Sequence, residues 1–202
     1  MSDFKDLGMT ISLPFSFDEH ILNIVLRANR MLGLLSKSFK ARTPSILLPI
    51  YKAHVRSILE YGNVIWSPYQ KEFINNIEKV QRRFTRMFPD IRHLDYRNRL
   101  SRLHLLSLSA GRLRYKLIFL FKVVNNFVNV NPYEHFTFSS RSQRGNPLKI
   151  LMPSCVHRYR SNFFTIDVIS HWNNLTFDEA AVTTIPQFKT SIASYFSRME
   201  QW

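Results

Sequence analysis

The chain has 202 residues, 45% of them hydrophobic, and a formal net charge of +14 at pH 7. This length and apolar content exclude a disordered chain, and Cys155, the single cysteine, excludes an intramolecular disulfide and a cysteine-rich zinc site. The 17 Phe, 8 Tyr and 3 Trp against 5 Gly favour helices packed through aromatic side chains over a turn-rich β protein.

The strongly basic charge predicts a polyanionic partner. Nucleic acid is the first expectation, and an anionic membrane surface is the second. The best apolar run, Leu117 to Phe121, is bracketed by lysines and is far too short to span a bilayer. We therefore expect no membrane partner and a nuclear or cytoplasmic location.

Two elements are predicted in the first 41 residues. Asp6 to Leu13 alternates in part between polar and apolar residues, which predicts a short strand. Ser16 and Glu19 have the spacing of a capping box, so we expect a helix to begin there. Its apolar residues recur at helical spacing, and it is expected to end between Phe39 and Ala41.

A second helix is predicted to begin at Thr43 and Pro44, which suit the N-cap and the first helical position, and to end at Gly62. An aromatic turn follows, in which Trp66 and Tyr69 flank a proline. We interpret Trp66 as a packing residue, whereas Tyr69 suits packing and the stacking of a nucleic-acid base equally well.

A third helix is predicted from about Glu72 to Phe88, and it has two unlike faces. At about 100° per residue, one face is apolar and the opposite face is cationic. The first predicts contact with a core, and the second predicts contact with phosphates. The apolar positions are Phe73, Ile77, Val80, Phe84 and Phe88, and the cationic positions are Lys79, Arg82, Arg83 and Arg86.

Basic residues continue beyond this helix, with eleven Lys or Arg against two Asp between Gln81 and Val130. Arg112 and Arg114 lie near the start of a further helix, where the helix dipole disfavours cations and a nearby phosphate would offset that cost. The segment 141–149 suits a phosphate contact and an ordinary loop equally. The candidate nucleic-acid-binding residues are therefore Lys79, Arg82, Arg83, Arg86, Arg97, Arg99, Arg112, Arg114, Arg141 and Arg144.

These patterns together predict a mainly α protein. We expect a helical bundle with a short N-terminal strand and a small C-terminal α or α/β part. Pro186 to Lys189 is expected to open a last amphipathic helix in that C-terminal part.

Two blocks of the sequence resemble one protein family. The first is Leu59-Glu60-Tyr61-Gly62-Asn63-Val64-Ile65-Trp66-Ser67-Pro68, and the second is Ile77-Glu78-Lys79-Val80-Gln81-Arg82-Arg83-Phe84-Thr85-Arg86. In content and spacing they resemble the segment that follows the polymerase domain in reverse transcriptases of non-LTR retrotransposons, the LINE-like jockey, CR1 and RTE group. Further likenesses to that family are the strings at 6–9, 96–108, 141–149 and 163–175.

The resemblance implies the thumb and post-polymerase region of an RNA-directed DNA polymerase. Residues 1–15 would be an end-of-palm strand remnant, 16–130 a thumb-like helical bundle, 131–153 a basic linker and 154–202 a C-terminal subdomain. Such a thumb would hold the backbone of RNA, DNA or an RNA–DNA hybrid, next to a polymerase palm and fingers that this sequence lacks.

The residues that polymerase chemistry needs are not in this sequence. Reverse transcription uses adjacent carboxylates to hold two Mg²⁺ ions, and no Asp-Asp pair occurs here. Asp178-Glu179 is expected in a loop, and Cys155 with His157 is not expected to form a catalytic pair. We therefore expect no enzyme activity from this chain on its own and no cofactor, with Mg²⁺ confined to the missing palm.

Two other interpretations stay open. The chain could be a stand-alone helical protein-interaction module, or a non-functional remnant of a transposable element. Salt-dependent binding of an RNA–DNA hybrid would separate the nucleic-acid interpretation from the protein-interaction module.

Overall fold

The computed structural model describes residues 4–12, 16–139, 148–154 and 162–199. These residues are mainly helical, with one short two-stranded antiparallel sheet near the N-terminus, so the predicted fold class is confirmed. The chain divides into two compact units, Met1–Arg112 and Leu113–Trp202. The thumb-like bundle predicted at 16–130 therefore extends over parts of both units.

Among the described residues, the first unit holds the sheet, six α-helices and a π-helical segment. Its elements are β1 (Phe4–Asp6), β2 (Met9–Ile11), α1 (Asp18–Ser38), α2 (Pro44–Tyr51), a π-helical segment (Lys52–Arg56), α3 (Ser57–Glu60), α4 (Asn63–Trp66), α5 (Lys71–Thr85) and α6 (Tyr96–Arg102). The division between the units falls within α7 (Leu108–Val124). The elements that follow are α8 (Pro132–His135), α9 (Phe164–Asn173), α10 (Phe177–Ala180) and α11 (Ile185–Met199).

The N-terminal segment is a hairpin. The short strand predicted within Asp6 to Leu13 is confirmed as β2, and the pattern did not predict its partner β1. β1 pairs antiparallel with β2, with Asp6 opposite Met9. Leu7 and Gly8, at φ 44° and 80°, make the two-residue turn between them. Consecutive positive φ values suit the right-handed twist of a tight hairpin. Leu13 lies outside the described residues.

The helix α1 begins one residue later than its predicted capping box implies. Its N-cap is Phe17, and no side chain caps it. The Ser16 hydroxyl instead accepts from the Asp18 N–H at 3.1 Å, and the predicted Ser16–Glu19 box does not form. The helix ends at Ser38, one residue before the predicted range.

The second predicted helix begins as expected, with Thr43 as N-cap and Pro44 in the first turn. It continues through the π-helical segment into α3. The left-handed Gly62, at φ 64°, follows the end of α3 and confirms the predicted stop. Trp66 is 1% exposed and donates from Nε1 to the Tyr61 carbonyl at 2.6 Å, which confirms its packing role.

Aromatic stacking joins α2 and α5 in the core of the first unit. The rings of Tyr51 and Phe84 lie parallel with centroids 3.8 Å apart, and Phe88 meets Phe84 edge-on at 5.3 Å. All three side chains are buried. Buried aromatic pairs of this kind add about 0.5–1.5 kcal/mol beyond the burial of their area, so they hold α5 firmly against the core.

The second unit packs α9 and α11 around further aromatic residues. Phe121 stacks on Phe188 with centroids 4.2 Å apart, and Trp172 is fully buried. Segment 131–153, predicted as a linker, contains α8 and an antiparallel bridge between Phe138 and Ile150. The loop predicted at Asp178-Glu179 is wrong, because these residues belong to the short helix α10.

Across the described ranges, no helix combines the length and the apolar character needed to cross a bilayer.

Candidate nucleic-acid interface

The helix α5 has the two faces that the sequence predicts. Ile77, Val80 and Phe84 are at most 1% exposed, because they face the core of the first unit. A helix that buries this stripe must turn the opposite side outward. Lys79, Arg82, Arg83 and Arg86 lie on that side, and all four are exposed. We call these four residues the α5 cation row.

The α5 cation row is not neutralised by carboxylates. Among the described residues, no Asp or Glu oxygen lies within 4.0 Å of any of its four charged groups. Lys79 donates from Nζ to the amide oxygen of Asn76 at 3.1 Å, and that contact leaves its charge uncompensated. An uncompensated row of like charges attracts polyanions and raises their local concentration.

Tyr96, in α6, holds one member of the row in place. The Arg82 guanidinium carbon lies 4.9 Å from the centroid of the Tyr96 ring, which is within cation–π range. The Tyr96 hydroxyl donates to Glu78 and accepts from Gln81 Nε2 at 3.1 Å. Burial and the neighbouring Glu78 carboxylate raise the pKa of Tyr96, so the hydroxyl keeps its proton at neutral pH.

Glu78 explains why a carboxylate next to Lys79 in sequence does not cancel its charge. The Glu78 side chain is buried. It accepts from the backbone N–H groups of Leu108 at 3.1 Å and Ser109 at 3.3 Å. These are orphan donors of the first turn of α7, where a carboxylate also meets the positive end of the helix dipole.

Gln81 completes this buried network on the core side of α5. Its Oε1 accepts from the Tyr51 hydroxyl at 2.9 Å, and its Nε2 donates to the Leu106 carbonyl at 3.0 Å. Glu78 and Gln81 together make hydrogen bonds to α2, α6 and the start of α7. Any rotation of α5 would break these bonds, so the network fixes which face points outward.

An open hollow of about 350 Å³ runs along the exposed side of α5. It is lined by Glu72, Asn75, Asn76, Lys79 and Arg82. On the N-terminal side of the α5 cation row, the exposed surface of the helix therefore carries two amides and one carboxylate. The sequence pattern of charges alone did not indicate this polar extension.

Two of the predicted phosphate ligands are buried inside the first unit. Arg99 is 3% exposed and donates to Thr85 Oγ1 at 3.0 Å and to the Leu94 carbonyl at 2.6 Å. Burial first, and then the nearby Arg86, lower the pKa of Arg99. Because its side chain is buried and two of its donors bond within the protein, Arg99 anchors α6 and is not presented to a ligand.

Arg112 is also 3% exposed, and its Nη1 has no hydrogen-bond partner among the described residues. Burial lowers the pKa of Arg112, while Glu78 and Glu60 act in the opposite direction. A signal for this burial exists in the sequence. Arg112 lies four residues after Leu108, which is fully buried, and so shares its side of α7.

The other candidates are distributed more widely. Arg97 is exposed on α6. Arg114, in the second unit, is half-buried and donates to the Lys189 carbonyl at 3.3 Å. Tyr69 is 56% exposed, in the turn before α5. Arg141 and Arg144 lie outside the described residues, as do Cys155 and His157.

No three His, Cys, Asp or Glu side chains in the described ranges lie close enough together to hold a metal ion. Comparison of the chain with protein-family models, with curated proteins and with solved structures found no match.

Proposed function

We propose that this chain binds the sugar–phosphate backbone of nucleic acid along the exposed face of α5. We further propose that it does so as the thumb-like part of a non-LTR retrotransposon RNA-directed DNA polymerase, without a catalytic centre of its own. One observation carries the binding proposal. The α5 cation row is exposed, is held by a rigid buried network and has no carboxylate within 4.0 Å among the described residues.

The geometry of the row suits a phosphate backbone. At 1.5 Å per residue, Lys79 and Arg86 are about 10 Å apart along the helix axis. Nucleic acid carries closely spaced phosphates along each strand, so a row of four cations over this length can contact more than one phosphate. Phosphate contacts of this kind position a protein and carry no base code. The proposed binding is therefore tolerant of sequence.

The resemblance to the retrotransposon family supports the second part of the proposal. Its second block, Ile77 to Arg86, covers most of α5 and includes the whole cation row. Its first block includes Gly62, which ends α3, and Trp66, which packs in the core. The resembling residues thus include both the groups that shape α5 and the groups that it exposes.

The experiment is a salt titration of binding to an RNA–DNA hybrid. Arg82→Gln, Arg83→Gln and Arg86→Gln are combined in one variant. The slope of log K against log salt is expected to fall by about 0.7 to 0.9 for each cation removed. Circular dichroism should not change, because Gln and Arg have similar helix propensity.

A matched control removes the same charge elsewhere. Lys37, Lys40 and Arg42 are exposed at and just beyond the end of α1, and changing all three to Gln should leave most of the slope intact. An unaltered slope in the α5 variant would overturn the proposal. An equal loss in both variants would show that net charge alone drives binding, and would also overturn it.

A second candidate function rests on α1. Leu22, Leu26 and Leu34 are 53%, 50% and 59% exposed, and exposed apolar side chains along one helix are typical of protein contacts. A protein-interaction module would bind the hybrid weakly both before and after the α5 changes. The same titration therefore distinguishes the two functions.

A further inference from the structure

The hollow along α5 has two ends of different chemistry. Lys79 and Arg82 supply cations at one end, and Glu72, Asn75 and Asn76 supply a carboxylate and amides at the other. Resting on the proposed function, we propose that this hollow selects an RNA strand over a DNA strand. The selecting contact is a hydrogen bond from a ribose 2′-hydroxyl to the Glu72 carboxylate, supported by Asn76.

The position of Glu72 lets both ends of the hollow act independently. It is seven residues from Lys79, which is about 10 Å along the helix axis. The backbone spacing is comparable to the Debye length of about 8 Å at physiological ionic strength, so solvent ions weaken the attraction between the carboxylate and the cation. Glu72 also forms no ion pair within 4.0 Å among the described residues.

Electrostatics sets the orientation of a bound strand. A phosphate is attracted to Lys79 and Arg82 and repelled by Glu72, so the phosphate lies at the cationic end. The sugar edge is then left for the end that carries Glu72 and the two asparagines. Asn76 already accepts from Lys79 at 3.1 Å through its amide oxygen, which couples the two ends.

The difference in hydrogen-bond donors between RNA and DNA accounts for the proposed selectivity at Glu72. An ionised carboxylate only accepts hydrogen bonds, so a bound strand that displaces water from the exposed Glu72 must supply a donor in its place. The backbone of DNA offers only acceptors, whereas the ribose 2′-hydroxyl of RNA is both donor and acceptor. An RNA strand therefore satisfies Glu72 and a DNA strand does not.

The test compares three single-stranded oligonucleotides of one base sequence: RNA, DNA and 2′-O-methyl RNA. Fluorescence anisotropy with the full chain gives each dissociation constant at fixed salt. RNA is expected to bind about three- to tenfold more tightly than DNA, as for one net charge-assisted hydrogen bond at a partly solvated site. The methylated RNA keeps the RNA sugar shape but lacks the donor, so it should bind like DNA.

A matched pair of variants locates the effect. Glu72→Ala with Asn76→Ala should bring the RNA-to-DNA affinity ratio to about one while leaving the salt slope in place. The control is Glu19→Ala with Asn23→Ala. These exposed residues have the same spacing, and Glu19 is likewise the second residue of its helix. The control variant should keep the wild-type ratio. Because each comparison is a ratio within one protein, the charge lost with Glu72 does not distort it.

The outcomes separate this inference from the proposed function. Salt-dependent binding with an RNA-to-DNA ratio of one overturns the inference and leaves the proposed function standing. A ratio that survives in the Glu72–Asn76 variant, or methylated RNA that binds like RNA, also overturns it. Absence of salt-dependent binding to all three overturns the inference, and absence of binding to the RNA–DNA hybrid as well overturns both.

Discussion

The α5 cation row and two paired cations of the second unit have opposite surroundings. In the second unit, Lys116 Nζ lies 2.7 Å from Asp167 Oδ2, and Arg198 Nη1 lies 2.9 Å from Glu179 Oε1. Among described residues, the α5 cation row has no such partner. Its one neighbouring carboxylate in sequence, Glu78, is turned inward to the start of α7.

This difference teaches what each set of charges does. A buried cation needs its carboxylate, because an uncompensated charge in the interior is strongly destabilising. An exposed cation is solvated and contributes little to stability with or without a partner. Breaking the pair of the buried Lys116 with Asp167 should therefore lower stability, whereas changes in the α5 cation row should lower binding.

The largest expected effect comes from breaking a pair in the second unit. Asp167→Ala leaves Lys116, 8% exposed, without its carboxylate, and should lower the free energy of unfolding by about 2 kcal/mol. Denaturant unfolding measures it. The exposed Asp178→Ala is the control, and it should change stability by less than about 1 kcal/mol.

The same measurement on the α5 triple Gln variant gives the other half of the comparison. Its stability should stay within about 0.5 kcal/mol of wild type for each substitution. If the triple variant unfolds more easily than Asp167→Ala, the distinction between structural and ligand-binding cations does not hold for this protein.

Substitutions of Tyr96 should have a smaller effect, and they should separate its contribution to stability from its contribution to binding. Tyr96→Phe keeps the ring under Arg82 but removes the hydrogen bond to Glu78. It should therefore cost stability, about 1–2 kcal/mol, with little change in affinity for the hybrid. Tyr96→Leu also removes the ring and should weaken binding about two- to fivefold further.

Paired measurements of stability and affinity would test this division. If Phe and Leu at position 96 weaken binding equally, the ring does not orient Arg82. If neither lowers stability, the Glu78 network does not hold α5 in place.

The smallest effect should come from pH. Burial lowers the pKa of His20, with Arg27 acting in the same direction, and burial also lowers the pKa of His171. The unfolded rings gain protons below about pH 6.5, before the folded rings do. The unfolded state therefore binds more protons as pH falls from about 6.5, and stability falls with it. Above this range the contribution is fully present.

His20→Gln and His171→Gln keep a hydrogen-bonding group and cannot titrate there. Each should reduce the loss of thermal stability between neutral and mildly acidic pH, and an unchanged loss would contradict the role given to that histidine.

At lower pH the titration of Glu179 adds a second loss of stability. Burial alone would raise its pKa, but bonds from Arg198, Ser194 and Thr176 lower it, so its stabilisation disappears as pH falls through the lowered value.

Two capping-box patterns show that the same local sequence spacing can form a cap in one place and not in another. Ser16 and Glu19 have the right spacing, yet the Ser16 hydroxyl only accepts from the Asp18 N–H and no box forms. Thr176 and Glu179 have the same spacing and form the complete box. Glu179 is 3% exposed, and it is also held by Ser194 and Arg198, both in α11. Tertiary contacts decided which pattern formed.

The sequence alone determined the two faces of α5, the start of α2 at Thr43 and Pro44, and the stop at Gly62. Each of these follows from local physics: helical periodicity, the fixed φ of proline and the left-handed freedom of glycine. They also define the α5 cation row, which needs only the helix and its buried stripe.

Only the tertiary structure decided which charges stay available. Three charged residues of types that are usually exposed are buried in this structure: Glu78, Arg99 and Arg112. Their burial is stabilised by hydrogen bonds to residues distant in sequence. Glu78 accepts from the start of α7, and Arg99 donates to Thr85. Charge along a sequence is a local property, whereas desolvation and pairing depend on what packs against each group in three dimensions.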